Sequence, residues 1–477
     1  MKPAVRSRRS VVAPARASAF DVLLRVERDQ AYASELLHSA AYEQLSTVDR
    51  GLATELIMGV LRWRSRLDTE IAAASSKALS KLDLEVLIAL RLALYQFRWL
   101  DRVPHRAALH ESVELVKRAR KHSASSFVNA VLRALSGSRI KRPLPLAELS
   151  NPEEIACGYA HPLWMVDRWA REYGLSVARR ICEYDQSIPA TSLRARISIP
   201  ESDLVPVDKN TDGKQRCGDI ESDRQKIILA PGQLLASARR VEAGDITKTE
   251  AFRNASVVIQ DEGSQLVAAL LSPHGHTKPR RFLDCCAAPG GKTLAIADRN
   301  SAASITAVEV YPHRARLMRK LLRAAGSNAR VQVVVADVTN LPVSIPFDAV
   351  LADVPCSGTG TLARNPEIKW RLNYGDLADL QARQIAIARA ALAQVASGGR
   401  LVYSTCSLER EENEDVIEQL LDGSIRLIDC RLELDQLRAA GELLWAEPAT
   451  LLRGPYLRTI PGVHPCDGFF AAILQRV

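Results

Sequence analysis

Apolar residues recur at three- and four-residue spacing through the first third of the chain: Ala19, Val22, Leu23 and Val26, then Leu52, Leu56, Val60 and Leu61, then Leu87, Leu90, Leu94 and Phe97. That period puts them on one face of each of several helices. Pro104 ends the stretch Tyr95 to Arg102, and the next helix is expected near Arg106. Helices joined by short turns imply a compact all-α bundle. Ser136 to Pro145 reads as a linker. From Asn151 to about Arg253 the pattern weakens. Helices are expected around Pro162 to Glu172 and Ser176 to Tyr184, strand-like pieces at Ser192 to Ser198 and Ile227 to Leu229, and a loose polar insertion at Ser202 to Arg224.

Beyond residue 256 the rhythm changes. Val257 to Gln265 opens a region in which short apolar runs alternate with helical segments. Strands are expected at Phe282 to Asp284, Ile305 to Glu309, Val331 to Asp337, Phe347 to Asp353 and Gly399 to Tyr403, with a long helix from about Asp376 to Ala396. Such alternation predicts a doubly wound, parallel α/β sheet. Gly468 to Gln475 is a last apolar strand expected to close it.

Composition narrows the class. The chain has 477 residues and 47% apolar content, enough for several globular domains. No run of about 20 apolar residues exists, so no membrane span is expected. The basic Met1 to Arg9 is followed by a stretch holding Pro14 and Arg16, too polar for a signal core, so a cytoplasmic location is expected. Nine cysteines form no C-x-x-C pair, which argues against zinc and against a disulfide scaffold. Residues 1–150 hold 25 Lys and Arg against 15 Asp and Glu, whereas the remainder is nearly neutral. A basic segment joined to a neutral one points to a polyanion partner, with solvated helix faces as the alternative.

The candidate chemistry lies around Asp284-Cys285-Cys286-Ala287-Ala288-Pro289-Gly290-Gly291-Lys292-Thr293, which reads as strand end, tight loop and helix start. Small residues there let the backbone approach a ligand, and free helix N–H groups face it. A phosphate-binding P-loop would need Gly where Cys286 stands, and G-x-G-x-x-G is absent. A loop with few charges suits S-adenosylmethionine better than a polyphosphate. Glu309 is placed to take ribose hydroxyls and Asp337 to meet the adenine amino group, each at a strand end. Two cysteines also follow strand ends, in Asp353-Val354-Pro355-Cys356-Ser357-Gly358-Thr359-Gly360 and Tyr403-Ser404-Thr405-Cys406-Ser407. Adjacent parallel strands would bring Cys356, Cys406 and Asp353 into one cleft with the cofactor loop. A thiolate beside a methyl donor is the apparatus for methylating a pyrimidine at C5, a carbon that is a poor nucleophile until a thiolate adds at C6.

These motifs, with Asn365-Pro366-Glu367-Ile368-Lys369-Trp370, Glu411-Glu412-Asn413 and Asp467-Gly468-Phe469-Phe470, resemble the Nol/Nop/Sun family of RNA cytosine-5 methyltransferases. The resemblance implies that Cys286, Ala287, Ala288, Pro289, Gly290, Gly291 and Lys292, with Glu309, Asp337 and Asp353, hold S-adenosylmethionine. It further implies that Cys406 is the nucleophile, that Cys356 helps resolve the adduct, that Asp353 bonds the cytosine N3 and amino edge, and that Lys292 lies near the base. Cys285 makes a double cysteine where one is usual, Val354 replaces Ala, and Glu309 stands where Asp is frequent. None removes a required group.

The helical third is similar to the RNA-binding factor NusB at Gly59 to Trp63, Asp101 to Pro104, Glu111 to Leu115 and Phe127 to Arg133. Within the family such a bundle marks bacterial small-subunit ribosomal RNA enzymes of the Sun type, which methylate cytosine 967 of 16S RNA. The implied division is a NusB-like RNA-binding bundle at 1–142, a small α+β RNA-contacting domain at 143–255, and a Rossmann-like class I methyltransferase domain at 256–477. The expected partner is 16S ribosomal RNA, with no metal and a monomeric chain. In the middle domain the family usually carries Asn where this chain has Arg196, so no contact is assigned there. The rival readings are the same reaction on transfer RNA and a non-catalytic RNA-binding assembly factor.

Overall fold

The computed structural model describes residues 12–39, 42, 44–137, 149–196, 227–271, 280–327, 330–342 and 346–477. The insertion expected at 202–224, and all but the first two residues of the linker expected at 136–145, lie outside them. The chain forms two compact units, Met1–Ile188 with Leu362–Arg371, and Pro189–Thr361 with Leu372–Val477. Among the described residues no helix is long and apolar enough to cross a membrane.

The first unit is helical. Its principal helices are Pro14–Arg28, Thr47–Arg62, Arg64–Ala74, Leu84–Trp99, His105–Arg118 and Ser125–Gly137, followed by Leu163–Tyr173 and Leu175–Asp185. Ser46 starts the second of these by accepting the Asp49 N–H at 3.1 Å, one of the donors a helix start leaves free. The periodic residues read from the sequence face inward: Ala19, Leu23, Leu56, Leu61, Leu90 and Leu94 are buried in one core. From Val86 to Phe97 only Leu87 escapes full burial, so Leu84–Trp99 is a central helix covered all round. That burial encloses Arg91, which pairs with Asp68 through two 2.7 Å bonds.

Leu362–Arg371 enters this helical core although it follows the Cys356 motif in sequence. Trp370 donates its indole N–H to the Leu61 carbonyl at 2.6 Å, and Arg371 donates to the carbonyls of Val26 and Gln30. Lys369, 1% exposed, donates to the carbonyls of Arg62 and Ala160 at 3.0 and 3.1 Å. Burial pulls the Lys369 ammonium down to about 7 from an ordinary value of 10.5, against the opposing pull of Asp185 and Cys182. Between those two pH values the unfolded chain binds a proton that the folded chain refuses, so stability rises with pH across the window. Chemical denaturation at pH 7, 8 and 9 is expected to show this slope, at most about 1.4 kcal/mol per pH unit. Lys369→Met should flatten it, and an equal slope in both chains would remove Lys369 as its origin.

The second unit holds two sheets. The strands are β1 (Thr191–Ala195), β2 (Ile228–Pro231), β3 (Ala238–Ala243), β4 (Val257–Ile259), β5 (Arg281–Asp284), β6 (Ser304–Glu309), β7 (Val331–Val335), β8 (Phe347–Asp353), β9 (Val395–Thr405), β10 (Ile425–Ile428), β11 (Leu452–Arg453), β12 (Tyr456–Arg458) and β13 (Phe470–Arg476). The small sheet is antiparallel with order β2-β3-β1-β4. Thus β4, read from sequence as the opening of the catalytic region, is hydrogen-bonded into the small sheet. Arg194 and Arg196 tie that sheet to the helix Gly291–Arg299 by reaching Asp298 at 2.6 and 2.8 Å.

The large sheet runs β11-β12-β13-β9-β8-β5-β6-β7, with β10 also on β13. Its β9-β8-β5-β6-β7 portion is parallel. The chain leaves β5 toward β6 and β7, then returns to the other side of β5 with β8, so the strand order reverses at β5 and β8. Ligands of such sheets bind at the carboxyl ends where the order reverses. The last strand differs from expectation. β13 pairs antiparallel with β9, but β12 and β10 continue beyond it, so it lies inside the sheet. Phe470 to Leu474 are all buried, as an unbroken apolar run in an interior strand requires.

Candidate active site

The loop after β5 is held from three sides. Cys285 N–H reaches the Leu351 carbonyl of β8, Ala287 N–H reaches the Val308 carbonyl of β6, and Asp284 accepts the Thr293 hydroxyl at 2.6 Å. Asp284 is buried and pushed up to about 7, chiefly by burial, with the Thr293 bond opposing. Gly290 has a φ of 107°, and a Cβ there would come within 2.9 Å of Met318. Glycine is therefore required where the loop enters the helix Gly291–Arg299.

Carboxylates surround this loop. Glu309 is buried at the end of β6 and accepts the Tyr311 N–H at 2.8 Å, while Asp353 ends β8. Asp337 follows β7 but is exposed, and its carboxylate caps a turn by accepting the Thr339 N–H and hydroxyl. Those two bonds hold it below the usual carboxylate range. Burial first, then Asp284, Asp353, Glu309 and Asp337 together, drive the Cys286 thiol far up. Four acids acting on one small-residue loop favour a ligand with hydroxyl and amine hydrogens and a cationic centre, and disfavour a polyphosphate.

Beside this loop stand the two cysteines. β8 and β9 are neighbours, and their register pairs Asp353 with Ser404. The residues just past each strand end bring the Cys356 and Cys406 sulfurs to 3.3 Å, with the Cys406 N–H also on the Cys356 sulfur. Asp353 accepts the Ser404 hydroxyl at 2.7 Å and the Lys292 ammonium at 2.8 Å. Burial disfavours the Lys292 charge, but Asp353, with Cys406 and Asp284 behind it, raises the ammonium above the usual lysine range. Lys292 also lies over the Phe469 ring at 5.1 Å.

The residues named from the sequence as catalytic, Cys406, Cys356, Asp353 and Lys292, thus lie in one cluster with the loop Cys286 to Lys292. Glu309 joins it from within the protein and Asp337 from the solvent side. The sequence left other parts without a role. Gly360 donates to the Cys406 carbonyl at 2.9 Å, and Gly468 donates to the Gly360 carbonyl at 2.8 Å. A Cβ on Gly360 would meet the Gly468 oxygen at 2.3 Å, so both glycines permit the close approach that fixes the Cys406 loop. Among the described residues no group of three or more His, Cys, Asp or Glu could hold a metal ion.

Comparison with known proteins places the chain in a family. The family model described as 16S rRNA methyltransferase RsmB/F matches residues 268–475, and the NusB family model matches residues 13–136. A probable ribosomal RNA small subunit methyltransferase B of Bacillus subtilis is 32% identical over 468 residues, covering 96% of this chain and 98% of that protein. The chain belongs to the RsmB/F methyltransferase family. It is an RNA methyltransferase of the S-adenosylmethionine-dependent class. The ribosomal RNA small subunit methyltransferase B of Pseudomonas syringae is 30% identical over 92% of this chain and 93% of its own length. Among solved structures, PH0851 superposes with a TM-score of 0.74 over 98% of this chain and all of its own, at 20% identity, a likeness of fold. A methyltransferase homolog protein from Pyrococcus horikoshii covers 68% of this chain and 99% of its own, with a TM-score of 0.52 and 25% identity.

Proposed function

We propose that the chain methylates C5 of a cytosine in 16S ribosomal RNA, cytosine 967 by its family resemblance, through a covalent adduct. The observation that carries this reading is the pair of sulfurs 3.3 Å apart beside the Lys292–Asp353 ion pair. In this reading Cys286, Ala287, Ala288, Pro289, Gly290, Gly291 and Lys292, with Glu309, Asp337 and Asp353, hold S-adenosylmethionine. The cofactor, when bound, supplies an electrophilic methyl group.

Cys406 adds as thiolate to C6 of the cytosine. The S–C6 bond forms, and the C5–C6 π pair moves onto C5, giving the nucleophile that a methyl donor requires. Asp353 orients the ring through its N3 and amino edge, and Lys292 stabilises the negative charge of the Cys406 sulfur before attack. Release needs the C5 proton to pass to solvent water. Its bonding pair then restores C5=C6 while the C6–S pair returns to Cys406. Cys356 helps by donating its S–H to the departing sulfur. The helical residues 1–142 and the middle segment 143–255 are assigned to holding the RNA, and 256–477 to the chemistry.

Bisulfite sequencing of small-subunit and transfer RNA, with and without the gene, tests the reading. Loss of one 5-methylcytosine from 16S RNA is expected. Loss confined to transfer RNA would reassign the substrate, and no change in either would overturn the reading. The two outer carboxylates give a separate test. Glu309→Ala is expected to weaken S-adenosylmethionine binding about five- to 150-fold, the cost of roughly 1–3 kcal/mol for a partner left unpaired in a buried place. Asp337→Ala should cost less, because its carboxylate is solvated and already caps a turn. Calorimetry giving the reverse order would exchange their importance.

A further inference from the structure

Glu412 has no exposed surface and lies between the two cysteine loops. Its Oε1 accepts the Ser357 N–H and the Gln384 side-chain amide, each at 2.8 Å, and its Oε2 accepts the hydroxyls of Ser357 and Ser407. Ser357 follows Cys356 and Ser407 follows Cys406, so one carboxylate grips the residue next to each cysteine. Asn413 secures the same corner, accepting the Thr405 hydroxyl at 2.5 Å and donating to the carbonyls of Ser407 and Glu409. Among the described residues Glu412 makes no ion pair. Arg458 donates instead to Glu414 and to the Ser407 carbonyl.

A buried carboxylate without a cation is costly, and four donors offset part of that cost. A neutral amide could join the two loops at lower cost. What the charge adds is an effect on the sulfurs. The hydrogen bond to Cys406, then burial, then the charges of Cys406 and Glu412 push the Cys356 thiol well up. Cys406 has the opposite neighbour, the Lys292 ammonium. Among the described residues the other charged and titratable groups near the pair include Asp353, neutralised by Lys292, Asp284, pushed up to about 7 by burial, the Cys286 thiol, which burial pushes up, the buried Glu409, the Arg458–Glu414 pair, and the Tyr403 phenol, which burial keeps protonated.

We propose that Glu412 is a positioning residue that joins the two cysteine loops and, by its buried negative charge, keeps the S–H of the pair on Cys356, leaving Cys406 as the attacking sulfur. This rests on the reading above in which both cysteines act, and it supplies what assigns their order.

The test uses the full chain. In Glu412→Gln the amide oxygen can accept from Ser357 and Gln384, and the amide NH2 can donate to the two serine hydroxyls once they rotate. Shape is kept and charge removed. Alkylation by iodoacetamide at Cys356 and Cys406 is followed separately against pH by peptide mass spectrometry, without RNA. The Cys356 profile is expected to move at least one pH unit downward in Glu412→Gln, while methylation slows tenfold or more and the KM for S-adenosylmethionine stays within twofold. Glu412→Asp keeps the charge and should leave the Cys356 profile in place. Coincident Cys356 profiles in the parent and Glu412→Gln would overturn the proposal. So would a shift in Glu412→Asp as large as that expected of the glutamine, and this arm serves alone if the amide does not fold. Because alkylation needs no RNA, a parent chain that methylates nothing would sink the proposed function without deciding this result.

Discussion

Cys406→Ala is expected to abolish methylation and to form no covalent RNA adduct, whereas Cys356→Ala is expected to attack its substrate and stall with RNA attached. Both sulfurs sit 3.3 Å apart at the ends of adjacent parallel strands, so position alone does not separate them. Charge does. The side-chain bond to Cys406, then partial burial, then Glu412 hold the Cys356 proton in place against the opposing Cys406 N–H on its sulfur. The Lys292 ammonium, raised chiefly by Asp353, also interacts electrostatically with Cys406. Removing the nucleophile should cost on the order of a thousandfold or more in rate. Loss of Cys356 should show as accumulated adduct on a denaturing gel, because the departing sulfur has lost its S–H donor. An adduct with Cys406→Ala and none with Cys356→Ala would reverse the two roles.

The site was legible because its chemistry falls at strand ends, which apolar runs mark clearly. Asp284, Glu309 and Asp353 close β5, β6 and β8, and the cysteines follow the two strands whose adjacency the chain order implies. What holds the loops was not legible. Glu412 is one acid among several in an acidic stretch, and only the fold brings Ser357, Gln384 and Ser407 to it. Asp337 shows the converse. A strand-end acid reads the same whether buried or solvated, and the turn that Thr339 makes with it takes it to the surface. Asn365 to Trp370 is one of the sequence motifs, but nothing in the sequence places it, with the rest of Leu362–Arg371, in the helical unit. Its anchors are backbone carbonyls, which leave no trace in the pattern of side chains.

The charge excess of residues 1–150 leads to a large expected effect on RNA binding. Of the cations in residues 1–150, Arg62 is buried and donates to a carbonyl, and Arg120 is exposed. Arg64 pairs with Glu27, Arg118 with Asp21 and Lys121 with Asp83. Residues 1–11 and 138–148, outside the described residues, carry seven cations against the single acid Glu148. A cation already paired gains less from a phosphate, since its own partner must be displaced, and these two stretches hold only one acid in sequence. Neutralising Arg6, Arg8, Arg9, Arg139, Lys141 and Arg142 together to glutamine is therefore expected to lower affinity for a 16S fragment by tenfold or more. The salt dependence should become shallower by up to about 0.9 in log-log slope for each phosphate that the chain no longer neutralises. Arg118→Gln with Lys121→Gln should change the slope by much less, and S-adenosylmethionine affinity should hold in both chains. If the paired set flattens the slope as much per charge as the six, the paired helix surface carries the RNA and the six cations are not its anchor.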